Sequence, residues 1–144
     1  MRRLWCLFVT RRHVEAGFGI GGFPALPDRF ECQKAVIELL KPGNTYEQAS
    51  DAGKAILAKY GEEKQWYGFP GHFVGLATHD VMLPKGPIKA GQVVTVEPIV
   101  EFPEKKMHFR VEDTILITDK GSDILSSGVP KELSEVEKLV GSVK

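Results

Sequence analysis

Residues 93–113 read "VVTVEPIVEFPEKKMHFRVED". Val93–Phe102 and Met107–Thr118 are rich in β-branched and aromatic residues. The polar "PEKK" of Pro103–Lys106 separates them, which is the pattern of an antiparallel hairpin. With Phe102 facing Met107, the register runs back until Glu97 stands directly across from Glu112. A two-residue loop at Glu104–Lys105 gives the same register, and an odd-length loop makes the two glutamates diagonal neighbours. Directly opposed side chains have Cβ atoms about 4.5–5.5 Å apart, and like charges there repel. Alternation puts His108, Arg110, Glu112 and Thr114 on one face of the second arm. Val93, Thr95, Glu97, Ile99 and Glu101 share a face of the first arm. Phe109, Val111, Ile115 and Ile117 have the opposite, apolar parity, which Asp113 interrupts.

Three circumstances make such a pair tolerable. The carboxylates can lie on an open solvated face, screened by Arg110 and nearby lysines. They can share a proton, which raises one pKa. They can also grip a divalent cation, which turns repulsion into coordination. Upstream, "GHFVGLATHD" places His72 and His79 among small residues. Two of the chain's four histidines, with two opposed glutamates, make a candidate metal-ligand and acid/base set. Seven residues separate the histidines, so one can bind metal while the other meets substrate.

Further upstream, "FECQKAVIELLK" (residues 30–41) has apolar positions at Ala35, Ile37, Leu39 and Leu40 and stops at Pro42-Gly43. It reads as a helix. "NTYEQASDAGKAILAKYG" reads as a second helix. Asn44 or Thr45 caps it, Glu47 or Gln48 follows three residues on, and Gly61 ends it. Its apolar face is expected at Ala49, Ala52, Ala55, Ile56, Leu57 and Tyr60. Downstream of the hairpin come a short strand around Ile124 and Leu125 and a short helix over "SEVEKLV", capped by Ser134. Helices followed by mainly antiparallel strands make an α+β fold. "GFGIGGFPALP" is a loop by composition, and its glycine spacing does not fit a dinucleotide site. Residues 1–29 are expected to be irregular, and residues 30–144 to form the folded unit.

The 144-residue length suits one domain. The chain is 42% hydrophobic and 26% charged, with a formal net charge of zero. That balance gives no basic field for nucleic acid or an anionic membrane. No apolar run approaches a membrane span. In "MRRLWCLFVTRRH" the run Leu4–Val9 is too short for a secretory signal, and a second arginine pair follows it. Cys6 and Cys32 have no metal-ligand spacing and form no disulfide framework. A reducing, cytoplasmic setting is the expectation.

"GHFVGLATHD", "GQVVTVEP" and "FRVED", in that order, resemble the signature of the metal-dependent peptidases of the pita-bread fold, family M24. The form G-H-x-x-G-L-x-x-H-D with a closing R-x-E-D is most similar to the Xaa-Pro aminopeptidase and prolidase branch. The likeness is specific over residues 66–128. "LLKPGNTYEQA" extends it into the helices, and it fades before residue 30. The resemblance implies a truncated pita-bread fold, the C-terminal part of a catalytic domain. It implies His72, Glu97 and Glu112 as metal ligands, with Glu112 bridging two ions and lying near the nucleophilic water. It implies His79 and Arg110 as residues that orient the substrate. The implied cofactor is a divalent metal: Mn²⁺ first, Co²⁺ or Zn²⁺ as alternatives. The implied substrate is a peptide, with proline second, that loses its N-terminal residue. A homo-oligomer is left open.

Two departures stand beside the resemblance. The family draws two further ligands from aspartates on an earlier strand. The only aspartates before His72 here are Asp28, in "LPDRF", and Asp51, inside the second helix. Both read as structural or solvated. Gly68 stands where this branch commonly has another histidine. The start "MRRLWCLFVTRRHVEAGFGIGG" is what a reading frame opening downstream of a lost half would give. The expectation is an incomplete or weakly active aminopeptidase-type hydrolase. The alternatives are an inactive module of the same fold that binds a peptide or protein partner, and a fragment whose exposed sheet edge pairs with another chain.

Overall fold

The computed structural model describes residues 26–77, 79–80, 84–102, 107–130, 135 and 138–139. Helix α1 (Leu26–Leu39) and helix α2 (Tyr46–Ala58) come first. A 3₁₀ turn at Glu63–Gln65 follows. Strands β1 (Val93–Val96), β2 (Ile99–Phe102), β3 (Met107–Arg110), β4 (Asp113–Ile117) and β5 (Ser122–Ile124) complete the fold. They form a three-stranded antiparallel sheet ordered β1-β4-β5 and a two-stranded ladder β2-β3. No helix among the described residues is long and apolar enough to cross a membrane.

Helix α1 starts at Leu26, four residues before the expected Phe30. Pro27 is tolerated there because an N–H in the first turn has no intrahelical partner to lose. Asp28 therefore lies in the first turn of a helix, not in a loop. One stripe of α1 is buried at Cys32, Gln33 and Val36, and Leu40, just past its end, is buried with them. Helix α2 begins with a complete capping box. The Gln48 N–H donates to Thr45 Oγ1, and the Thr45 N–H donates to Gln48 Oε1. Its buried stripe runs through Tyr46, Ala49, Ser50, Gly53 and Leu57. Ala55 and Tyr60, expected on that stripe, are exposed. Gly53 carries no Cβ because the Trp66 indole and Val36 fill the space one would need.

Both helices face the sheet through a single core. Val36, Leu40, Tyr46, Ala49, Ile88, Val94, Val96, Ile115 and Ile117 close-pack there. β4 supplies Ile115 and Ile117 on alternate positions, and the intervening side chains are half-buried, the two-period of a sheet with one packed face.

The expected hairpin register holds. Val96 pairs with Asp113, and Ile99 pairs with Arg110. The expected continuity does not, since each arm is interrupted, at 97–98 and at 111–112. Pro98 supplies the reason. The N–H groups of Thr95 and Glu97 point away from β4, to the carbonyls of His72 and Pro70. The even-numbered residues of that arm are therefore the ones that exchange bonds with β4. Ile117 N–H donating to Gln92 agrees. Residue 98 is the next donor in that series, and proline has no N–H. The "PEKK" turn, Cys6, the glycine run of residues 17–22 and Ser134 lie outside the described residues. Only Glu135, Lys138 and Leu139 of the expected last helix are described.

Candidate metal centre

His72 reaches the sheet on an edge segment. Pro70–Val74 runs antiparallel to β1 and is held by three backbone bonds. Glu97 N–H donates to Pro70 at 2.7 Å, Thr95 N–H to His72 at 2.8 Å, and Val74 N–H to Val93 at 3.0 Å. Gly71 permits the approach, because a Cβ at that position would run into the Thr95 carbonyl. The segment thus carries His72 alongside Glu97, and the hairpin carries Glu112 opposite Glu97.

His72, Glu97 and Glu112 each offer one ligand atom, and these atoms all lie within 4.8 Å of one another. Among the described residues, no other group of three or more His, Cys, Asp or Glu side chains does so. His72 Nδ1 lies 2.9 Å from the Phe73 carbonyl. A carbonyl only accepts, so that nitrogen carries the proton and Nε2 keeps its lone pair for a cation. Nε2 lies 3.3 Å from Glu97 Oε1. The Thr95 hydroxyl donates to the same Oε1 at 3.1 Å and accepts the His72 N–H at 3.0 Å. One side chain therefore fixes both candidate ligands. Arg110 spans the carboxylates: Nη1 is 3.0 Å from Glu97 Oε2, and Nη2 is 3.6 Å from Glu112 Oε2.

The carboxylates do not lie on an open solvated face. The Glu97 side chain is only 12% exposed and that of Glu112 only 32%. Burial, with the Glu97 charge opposite, raises the Glu112 pKa above the ordinary glutamate value, and Arg110, His72 and His79 act against that rise. A half-buried carboxylate pair, an imidazole nitrogen with its lone pair free and a hydroxyl that locks two of the three is a donor set that fits a divalent cation.

The other expected site residues fall around this cluster. The His79 ring lies 4.3 Å from that of His72, tilted by 46°, on the exposed side. A cavity of about 360 Å³ opens beside the cluster, with Trp66, Phe69, His79, Ile99 and Arg110 in its walls. Gly68 also lines it, with positive φ. Asp51 is exposed on α2 and is not part of the cluster. Sequence reasoning gave Thr95 no role beyond its face and singled out neither Gln33 nor Pro98. The "V-E-P" of residues 96–98 does carry the signal, since a proline one residue after a strand carboxylate breaks the ladder at that point.

Comparison with known proteins identifies the family. Residues 30–119 match metallopeptidase family M24. An Xaa-Pro aminopeptidase of Haemophilus influenzae is 33% identical over 140 residues, covering 76% of this chain and 33% of its own length. An Xaa-Pro dipeptidase of Pyrococcus horikoshii is 36% identical over 100 residues, covering 67% of this chain and 28% of its own. The solved prolidase from Pyrococcus horikoshii OT3 superposes with a TM-score of 0.67 at 34% identity, over 74% of this chain and 31% of that one. The chain thus spans about a third of the length of each relative. Two helices packed on an antiparallel sheet, with His72, Glu97 and Glu112 gathered at the break in that sheet, are its share of the pita-bread fold, and the chain belongs to metallopeptidase family M24.

Proposed function

We propose that this chain holds a divalent cation, Mn²⁺ by preference over Co²⁺ or Zn²⁺, at His72, Glu97 and Glu112. We further propose that the site serves to release the N-terminal residue of peptides with proline second. The observation that carries the reading is the convergence of the three ligand atoms within 4.8 Å beside an open cavity. Names of the relatives, Xaa-Pro aminopeptidase and Xaa-Pro dipeptidase, supply the substrate class.

A bound cation would polarise the scissile carbonyl and lower the pKa of a water. The chain's own residues do the rest. Thr95 and Arg110 keep Glu97 oriented, and Glu112, whose pKa burial and the Glu97 charge raise above the ordinary glutamate value, is the stronger base of the two carboxylates. His79, on the open side of His72, is placed to meet the substrate, and Trp66, Phe69 and Ile99 give the cavity apolar walls. Three ligands suit one ion, so hydrolysis by this chain is expected to be weak. The second reading is a module of the same fold that binds a peptide without cleaving it, which the exposed Tyr67 on the cavity wall favours. A cytoplasmic setting suits the buried Cys32 thiol.

Calorimetry with Mn²⁺ on the wild type and on Glu112→Ala decides the metal site, and identical isotherms would sink it. Incubation with an Xaa-Pro-Xaa peptide separates the two readings. Slow, Mn²⁺-dependent release of the first residue supports hydrolysis. Peptide binding without release supports the binding module.

A further inference from the structure

Pro98 leaves the hairpin one hydrogen bond short at the place where the two glutamates meet. In the ladder register the Val111 carbonyl faces residue 98, which has no N–H to give it. A buried carbonyl without a donor is costly. The donor comes from α1. Gln33 is 1% exposed, and its side-chain Nε2 lies 3.0 Å from the Val96 carbonyl and 3.4 Å from that of Val111. Both hydrogens of that amide are thereby used, one on each arm of the hairpin. Val96 immediately precedes Glu97, and Val111 immediately precedes Glu112.

We propose that Gln33 is a positioning residue for the metal centre: its amide replaces the N–H that Pro98 lacks and sets the separation of Glu97 and Glu112. The inference rests on the metal reading above and assigns the geometry of that site to a helix residue that touches neither carboxylate. A ladder that ran unbroken would need no such clamp. One broken without it would let the arms splay where the carboxylates repel each other.

The test uses Gln33→Leu, which keeps the size and removes both donors. A companion Gln33→Leu/Pro98→Ala variant returns a backbone N–H to the ladder. Ile117→Val, in the core away from the site, serves as a control for general destabilisation. Two readouts apply: Mn²⁺ affinity by calorimetry, and the Glu97–Glu112 cross-strand Hα–Hα NOE in the metal-free protein, which a facing pair without mutual hydrogen bonds makes strong. Gln33→Leu is expected to weaken Mn²⁺ binding about tenfold, the usual effect of losing a residue that orients a ligand, and to weaken the NOE. The double variant is expected to recover both, and Ile117→Val to lower Tm while changing neither. An NOE and an affinity within twofold of wild type in Gln33→Leu would overturn the proposal. If Gln33→Leu does not fold, a double variant that folds with the NOE restored supports it, and one that does not overturns it. If the wild type takes up no Mn²⁺, the metal reading falls, while the NOE comparison still decides whether Gln33 sets the glutamate spacing.

Discussion

Glu97 stands directly across the hairpin from Glu112, between the Val96–Asp113 and Ile99–Arg110 pairs, in the two-residue break where both arms lose their strand geometry. The repulsion is countered in three ways. Arg110 bridges the two carboxylates, the Thr95 hydroxyl holds one of them, and Gln33 ties the backbone beneath both.

Thr95→Val tests the hydroxyl. Valine keeps the shape but leaves the buried His72 N–H without its acceptor and Glu97 without a donor. Stability should fall by about 1–3 kcal/mol, and Mn²⁺ affinity by roughly tenfold. Chemical denaturation and calorimetry read the two effects separately.

Gly71→Ala tests the edge segment. The added methyl meets a backbone carbonyl, which cannot swing aside as a side chain would. The expected loss is about 1–3 kcal/mol, as for overpacking in a tight interior. The His72–Thr95 backbone bond should exchange faster with deuterium. An unchanged melting curve would show that the segment has slack.

Arg110→Met tests the guanidinium. Its side chain is 40% exposed, so solvent screens much of its attraction. Metal-free stability should drop by about 1 kcal/mol or less. Saturating Mn²⁺ should erase most of the difference between variant and wild type, because a cation then supplies the positive charge. A deficit that persists in saturating metal would mean that Arg110 acts chiefly by packing.

The Glu112 pKa gives a pH dependence with a definite sign. Its value is raised in the folded chain, so the folded state binds the proton more tightly than the unfolded one. The associated stability is fully present below the ordinary glutamate value of 4.5 and is lost as pH climbs through the raised value. Glu112→Gln should remove that loss, leaving a flatter profile of Tm against pH in metal-free protein. Mn²⁺ binding should weaken as pH falls through the same window and release a proton within it. A profile that Glu112→Gln leaves unchanged would contradict the assignment.

Much of the fold was legible in the chain. The Thr45–Gln48 capping box, the proline-glycine stop after α1 and the hairpin register are short-range features, each carried by a few residues whose chemistry is specific. The cluster of His72, Glu97 and Glu112 followed from that register and from the family resemblance. What stayed hidden depends on long-range packing. Gln33 looks like one polar residue on an amphipathic helix until α1 is docked, 63 residues away in sequence from the carbonyl it serves. The early start of α1 was masked by Pro27, a helix breaker everywhere except the first turn. Tyr60 and Ala55 fit the apolar period of the second helix but are left exposed once the chain is packed.

Trp66 joins the two halves of the structure. Its indole N–H donates to Ser50 Oγ on α2 at 2.9 Å, its ring packs over Gly53, and its other side forms the cavity wall beside His72. The site therefore carries its own optical reporter. Of the chain's two tryptophans, Trp5 lies outside the described residues, so a Trp5→Phe background isolates the Trp66 emission. A paramagnetic ion arriving at His72 would quench that light, and a peptide entering the cavity would shift its colour, so the two kinds of ligand could be told apart in one cuvette.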